Sequence, residues 1–117
     1  MNILIIINDA PYGTEKAYNA LRLANQLLKD HPATKVNIFL LADAVTCGQA
    51  NQKNPAGYYN IGRMIKIFLT KGGQVKSCGI CMGARGMAEV PLQEGVERSN
   101  MTEVAQWTAE ASKVITF

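Results

Sequence analysis

The hydrophobic positions along the chain form continuous apolar runs separated by more polar segments. Residues 3–7 read Ile-Leu-Ile-Ile-Ile, which is typical of a strand buried on both faces of a parallel sheet. Apolar segments at 35–41, 74–77 and 114–117 predict three more strands, and a short strand is expected near Val96. The pattern therefore predicts a mostly parallel sheet of about five strands.

Between these runs, apolar residues recur every three or four positions, as on the buried face of a helix. Thr14, Asn60 and Asn100 precede three of these stripes, and their side chains are of the kind that caps helix N-termini. The predicted helices span 14–29, 60–71 and 100–112, with a short helix at 43–49. In the last of them, the residues expected to face the core are Val104, Ala105, Thr108 and Ala111.

The alternation of strands and helices predicts an α/β fold with right-handed crossovers. With 117 residues, 48% of them apolar, the chain is expected to form one domain over residues 1–117. Ligand sites in such sheets lie beyond the carboxyl ends of the strands. The segments 8–13, 43–47 and 78–86 each follow a strand and should share that edge, whereas His31 follows a helix and belongs at the opposite one.

Charge, composition and the absence of certain motifs argue against several classes of function. The net charge is +3, from 12 basic and 9 acidic residues, and the basic residues are scattered, so no direct nucleic-acid binding is expected. The N-terminal apolar run has no basic residues before it and is too short to span a bilayer. We therefore expect a cytoplasmic protein with no membrane partner. Neither a Walker A motif nor GxGxxG is present, and no cofactor is expected.

Cys78 and Cys81 are the candidate catalytic residues. In a reducing cytosol, a CxxC pair indicates catalysis, redox chemistry or metal binding rather than a structural disulfide. A thiolate is the nucleophile, and nearby backbone N–H groups and cations lower its pKa. The residues expected to stabilise such an anion, from a glycine-rich turn, are Gly79, Gly83, Arg85 and Gly86. Those expected to line the pocket are Asp9, Tyr12, Gly13, Asp43 and Cys47.

Four segments together resemble a known family: Asp9-Ala10-Pro11-Tyr12-Gly13-Thr14, Leu41-Ala42-Asp43-Ala44-Val45, Cys78-x-x-Cys81 followed by Arg85-Gly86, and the ending from Ala105-Gln106-Trp107 to Phe117. They look like the DsrE/DsrF-like family, and within it the YchN-type members. The resemblance implies a flavodoxin-like three-layer sandwich and ring-shaped homotrimers or homohexamers. It also implies a sulfur carrier or sulfurtransferase that holds sulfur as a cysteine persulfide.

The resemblance leaves the carrier cysteine open. Counting back from Gly86 selects Cys78, and a shorter alignment of the same segment selects Cys81. Sulfur-donor and sulfur-acceptor proteins are the implied partners besides the chain itself. Trp107 and the polar loop 51–59 are candidate contacts between subunits.

Other functions for the same residues stay open from the sequence alone. One is a thiol-disulfide redox switch formed by Cys78 and Cys81. Another is a metal-binding module, with Cys47 as a third ligand and Asp9, Asp43 or a neighbouring subunit supplying the fourth, although we expect no metal. A small-ligand binding module at the same edge is the remaining alternative.

Overall fold

The computed structural model describes residues 1–117, and its centre is a sheet of five strands. Neighbouring strands pair in parallel throughout, in the order β4-β3-β2-β1-β5. The strands are β1 Asn2–Ile7, β2 Lys35–Leu40, β3 Gln74–Cys78, β4 Val96–Ser99 and β5 Lys113–Thr116. The predicted α/β fold with a parallel sheet is confirmed, since every predicted strand is present.

Four α-helices and one 3₁₀ helix connect the strands. The α-helices are α1 Lys16–Asp30, α2 Ile61–Thr70, α3 Gly79–Gly83 and α4 Met101–Glu110, and the 3₁₀ helix spans Ala42–Gly48. None of these helices combines the length and the apolar character that crossing a bilayer requires.

The two faces of the sheet carry separate hydrophobic cores, because successive side chains of a strand point to opposite faces. On one face, Ile5 of β1 packs with Leu21 of α1 and Phe68 of α2, and we call this cluster the first core. On the other face, Leu4 and Phe39 pack with residues of α3 and α4, including Met82 and Val104, and we call this cluster the second core. The helices therefore cover both faces, which gives the expected three-layer arrangement.

The predicted helix caps have mixed outcomes. Asn60 caps α2 as expected, since its side-chain oxygen accepts the Arg63 backbone N–H at 3.0 Å. For α1, Glu15 rather than Thr14 occupies the cap position, and the helix begins at Lys16. The Thr14 hydroxyl nevertheless accepts the Lys16 backbone N–H at 3.3 Å and so satisfies the first N–H group of the helix. The same hydroxyl donates to the Asp9 carboxylate at 2.8 Å, which links the start of α1 to the loop after β1.

The buried stripe of α4 also differs from the expectation. Val104 is buried and Ala111 is half-buried, but Ala105 and Thr108 are exposed. Trp107 takes the inward position instead, with its ring edge-on to Phe39 at a centroid distance of 6.1 Å. The residues of α4 that pack on the sheet are therefore spaced three or four positions apart, and Ala105 and Thr108 face solvent instead.

Candidate functional site

The predicted functional edge is the carboxyl end of the sheet, where β1, β2 and β3 each run into a connecting segment. After β2 the chain turns into the 3₁₀ helix, whose Cys47 joins the first core and whose Val45 joins the second. After β3 it turns into α3, whose Met82 also joins the second core. The two connections therefore meet in the second core, at the edge where open α/β sheets place their ligand sites.

Cys78 is the last residue of β3 and lies in the second core, with 4% of its surface exposed. Its sulfur caps α3 by accepting the Cys81 backbone N–H at 3.4 Å. Burial raises the pKa of the Cys78 thiol, and the hydrogen bonds from the Cys81 and Ile80 backbone N–H groups offset part of that rise. In the free protein, Cys78 is therefore held as a thiol rather than a thiolate.

Cys81 lies one turn further along α3 and is half-buried at the margin of the second core. Beside it, the Ile80 side chain is 80% exposed. All three cysteines of the chain are free thiols. Of the pair, Cys81 is thus the thiol that a molecule in solution reaches more easily.

The glycine-rich turn expected at 78–86 is a short helix instead. Its backbone N–H groups are largely used within the segment: the Gly86 N–H donates to the Gly83 carbonyl at 3.1 Å. The N–H groups that reach a sulfur belong to Ile80 and Cys81 rather than to the glycines. Gly79 has a packing role, since a Cβ there would lie 3.3 Å from the Ser99 carbonyl oxygen of β4.

Arg85 fastens α3 to the 3₁₀ helix. Its Nε donates to the Asp43 carboxylate at 2.9 Å, and one of its terminal nitrogens donates to the Cys81 carbonyl at 3.0 Å. The preceding residue of the 3₁₀ helix, Ala42, has φ of 52°, a left-handed conformation that costs about 1–2 kcal/mol for a residue with a Cβ. Arg85 therefore lies beside the backbone of Cys81 and is paired with the Asp43 carboxylate.

Cys47 belongs to the opposite face of the sheet from Cys78. It lies in the first core with 1% of its surface exposed, and its sulfur donates to the Asp9 carbonyl oxygen at 3.5 Å. Burial, with a smaller contribution from the Asp9 charge, raises the pKa of Cys47 to about 12. These surroundings are those of a packed structural thiol.

Tyr12 and Gly13 line a different part of the edge. The Tyr12 ring stacks on Tyr59 with a centroid distance of 5.7 Å, and its hydroxyl accepts the Ile61 backbone N–H at 3.5 Å. Gly13, with φ of 112°, borders a cleft of about 350 Å³ beside Tyr59. Neither Cys78 nor Cys81 lines this cleft, so the predicted residues divide into a cysteine part and a tyrosine part.

A comparison with protein families identifies the chain. The model of the DsrE/DsrF-like family matches residues 1–117. The chain belongs to the DsrE/DsrF-like family. The resemblance inferred from the sequence is thereby confirmed over the whole length.

Individual relatives agree with this assignment. The DsrE/DsrF-like chain is 44% identical to protein YchN of Escherichia coli (strain K12) over 115 residues, covering 98% of this chain and 97% of YchN. It is 38% identical over 117 residues to the uncharacterized protein MJ0989 of Methanocaldococcus jannaschii, with both chains fully covered.

Solved structures give the same result for the fold. The crystal structure of the ychN protein from E. coli superposes with a TM-score of 0.94 and 43% identity, covering 99% of this chain and 98% of that one. A structure of MTH1491 from Methanobacterium thermoautotrophicum has a TM-score of 0.81 at 14% identity, with 99% and 98% covered. The second likeness shows that the DsrE/DsrF-like fold persists at low sequence identity.

A polar network lies beside Cys78 in the DsrE/DsrF-like chain, and the sequence pattern did not predict it. Lys76, two residues before Cys78 and on the same face of β3, pairs with the Glu103 carboxylate and lies 4.9 Å from the Trp107 ring centre. Ser99, the β4 neighbour of Cys78, donates to the same carboxylate at 2.6 Å. These two hydrogen bonds, the Lys76 bond first, lower the pKa of Glu103. The two-residue spacing of Lys76 and Cys78 was the available signal.

No group of three or more His, Cys, Asp or Glu side chains is placed to hold a metal ion. In particular, Cys47 does not join Cys78 and Cys81 in one metal site, because Cys47 lies in the first core and the pair lies at the second core, on the other face of the sheet.

Proposed function

We propose that the chain is a sulfur-relay protein that carries sulfane sulfur as a persulfide on Cys81, with Cys78 as the thiol that discharges it. Membership of the DsrE/DsrF-like family supports a role related to sulfur relay. The observation that carries the finer proposal is the unequal exposure of two free thiols one helical turn apart. Strand geometry alone favours Cys78 as carrier, and its burial argues for the reverse order.

In the loading step, the Cys81 thiolate attacks the outer sulfur of a donor persulfide. A new S–S bond forms on Cys81, the S–S bond of the donor breaks, and the donor leaves as a thiolate. Exposure governs this step, because the donor must approach in line with the sulfur. The exposed Ile80 beside Cys81 offers apolar surface to a donor or acceptor protein.

In the discharge step, the Cys78 sulfur attacks the inner sulfur of the Cys81 persulfide. A Cys78–Cys81 disulfide forms, and hydrosulfide leaves with the proton that Cys78 gives up. The two thiols are oxidised and the sulfane sulfur is reduced, so a dithiol reductant must restore the pair. Direct transfer is the alternative fate: an acceptor thiolate takes the outer sulfur, and Cys81 returns to the thiolate.

Arg85 contributes by its position at the Cys81 carbonyl. Its guanidinium favours negative charge on the sulfur during both steps, and its bond to Asp43 fixes its orientation. The predicted anion-stabilising role of Arg85 is retained in this proposal, and the Ile80 and Cys81 N–H groups take the place of the glycine N–H groups.

The test is a short incubation with inorganic polysulfide, followed by desalting, intact-mass measurement and sulfide detection. Cys78→Ser should accumulate an adduct of about 32 Da and release no sulfide, because loading proceeds and discharge cannot. Cys81→Ser should gain no adduct. Cys47→Ala is the matched control, and should behave as the unmodified protein.

The unmodified protein should release sulfide and lose about 2 Da as the disulfide forms. Loading of Cys81→Ser at the rate of the unmodified protein would contradict the assignment of the carrier. Failure of every form to gain sulfur would refute sulfur carriage altogether.

A thiol-disulfide switch is the second candidate, because the same pair of free thiols lies across the first turn of a helix. The two functions differ in what they require. A switch shows a reversible two-electron couple without any sulfane donor, whereas a relay protein releases sulfide only after loading. Because the proposed relay also closes the Cys78–Cys81 disulfide, sulfide release after polysulfide loading is the measurement that separates them: a relay protein shows it and a switch does not.

The assembly and location expected from the sequence belong to this proposal as well. We expect a homotrimeric or homohexameric ring in the cytoplasm, which light scattering at micromolar concentration would test for the assembly. The 51–59 loop is free to contribute contacts, since most of its residues are exposed. Trp107 is a weaker candidate than its sequence position indicates, because Phe39 and Lys76 already cover part of its ring.

A further inference from the structure

A groove of about 810 Å³ follows the outer face of α2, on the other side of the sheet from Cys78. One wall is the helix itself, which presents Arg63 and Lys66 one turn apart. The facing wall consists of the segments 49–52 and 93–94. Ala50 and Ile67 are its hydrophobic lining residues, and the remaining lining is glycine or polar. The proposed sulfur chemistry makes no use of this groove.

The groove carries an excess of positive charge. Arg63, Lys66 and Lys71 line it, and Glu94 is the one acidic residue among its lining. The two ion pairs of the chain, Lys76–Glu103 and Arg85–Asp43, lie elsewhere, so these three cations have no carboxylate partner. Three unpaired cations against one carboxylate leave this concave surface with a net positive charge, which favours an anionic ligand.

The wall facing α2 is held in place by hydrogen bonds of its own. Gln52 donates through its side chain to the Thr46 carbonyl at 2.7 Å, and Gln93 donates to the Gly62 carbonyl of α2 at 2.7 Å. Gln49 also forms an antiparallel bridge with Leu92, the residue just before the second segment of this wall. The groove is therefore preformed, which lowers the ordering cost of binding.

The chemistry of the lining narrows the class of ligand. An Arg and a Lys on one helix face suit a phosphate group, since a guanidinium binds two phosphate oxygens at once. Asn51 and Asn60 add amide groups that both donate and accept hydrogen bonds, as hydroxyl groups require. No aromatic ring lines the groove, so bases of a nucleic acid would find no stacking surface. A volume of this order accommodates a small molecule.

We propose that this groove binds a small phosphorylated polyhydroxy molecule of the sugar-phosphate class. Arg63 and Lys66 hold the phosphate, and the amide side chains of the opposite wall and of the α2 cap contact the hydroxyl groups. The site is independent of Cys78 and Cys81, so its occupancy does not depend on sulfur carriage.

The experiment is a titration of the full chain, labelled with ¹⁵N, with ribose 5-phosphate at millimolar concentrations. Saturable amide shifts are expected at residues 49–52, 60–71 and 93–94. Ribose alone should cause no shifts, and inorganic phosphate should shift only the α2 residues, more weakly. The double variant R63Q/K66Q should bind ribose 5-phosphate at least tenfold more weakly.

The matched control is K29Q/K35Q, which removes the same charge from two exposed lysines outside the groove. It should bind as the unmodified protein does. Equal weakening by both double variants would refute the site, because it would indicate general charge attraction. Absence of saturable shifts would refute it too, and so would tight binding of a single-stranded RNA across the same residues without binding of ribose 5-phosphate.

Discussion

The three cysteines should differ widely in their reactivity toward iodoacetamide in the folded protein. Cys47 has a pKa of about 12 against an ordinary value of 9.0, so at pH 8 it holds about a thousandth of the thiolate of an ordinary cysteine. It is also 1% exposed. Cys78 has a raised pKa and 4% exposure, and Cys81 is half-buried. The expected order of labelling is Cys81, then Cys78, then Cys47.

The assay quenches aliquots over time, digests them with trypsin and quantifies the labelled peptides. Cys47 falls in the peptide 36–53, whereas Cys78 and Cys81 share the peptide 77–85. Cys78→Ser and Cys81→Ser assign the label within the shared peptide. Labelling in 6 M guanidinium chloride is the control, since unfolding should bring all three rates within a few-fold of each other.

Two outcomes would refute the reasoning. Labelling of Cys47 in the folded protein at the rate of Cys81 would mean that the first core does not protect its thiol. Labelling of Cys78 ahead of Cys81 would reverse the order of exposure, and with it the proposed roles of carrier and discharging thiol.

Three further predictions concern stability. The folded state keeps Cys47 protonated, whereas in the unfolded chain this thiol ionises above its ordinary pKa of 9.0. Cys47 should therefore account for about 1.4 kcal/mol of the stability lost from pH 8 to pH 10, and in urea titrations Cys47→Ala should lose that much less than the unmodified protein. Gly73→Ala should lower the free energy of unfolding by about 3 kcal/mol, because the added Cβ would overlap the buried Phe68 ring. Gly72→Ala is the matched control and should lower it by about 1 kcal/mol, from its φ of 94° alone. Equal losses in urea titrations would contradict the overlap. The lowered pKa of Glu103 adds stability above the usual range of a carboxyl, so the Tm difference from Glu103→Gln should be full at pH 7 and shrink as the pH falls from that range through the lowered pKa. A Tm difference that does not change with pH would refute it.

The fold was predictable because its main signals are local and strong. The apolar run at 3–7 has the length and composition of a buried parallel strand, and it forms β1. Asn60 combines a capping side chain with an amphipathic stripe after it, and it caps α2. The buried face of α4 was harder to predict from the sequence. Which residues of that helix meet the sheet depends on neighbours such as Phe39 rather than on the helix itself.

The site was predictable in its location but not in its details. Counting strands places Cys78 at the carboxyl edge, as the structure has it. The glycines at 79, 83 and 86 favour a turn by local propensity, yet α3 forms because packing of Met82 in the second core outweighs that preference. The burial that distinguishes Cys78 from Cys81 arises from long-range packing, for which the spacing of the two residues carries no signal.

The cap of α3 links chemistry at Cys78 to the conformation of the chain. The sulfur that would attack a persulfide is the same atom that accepts the Cys81 N–H and starts the helix. Once that sulfur enters a disulfide it becomes a weaker acceptor, and a five-residue helix has few other bonds to retain its first turn. Oxidation should therefore loosen the segment that bears the exposed Ile80, and under the proposed function this change of shape would distinguish the discharged protein from the reduced one.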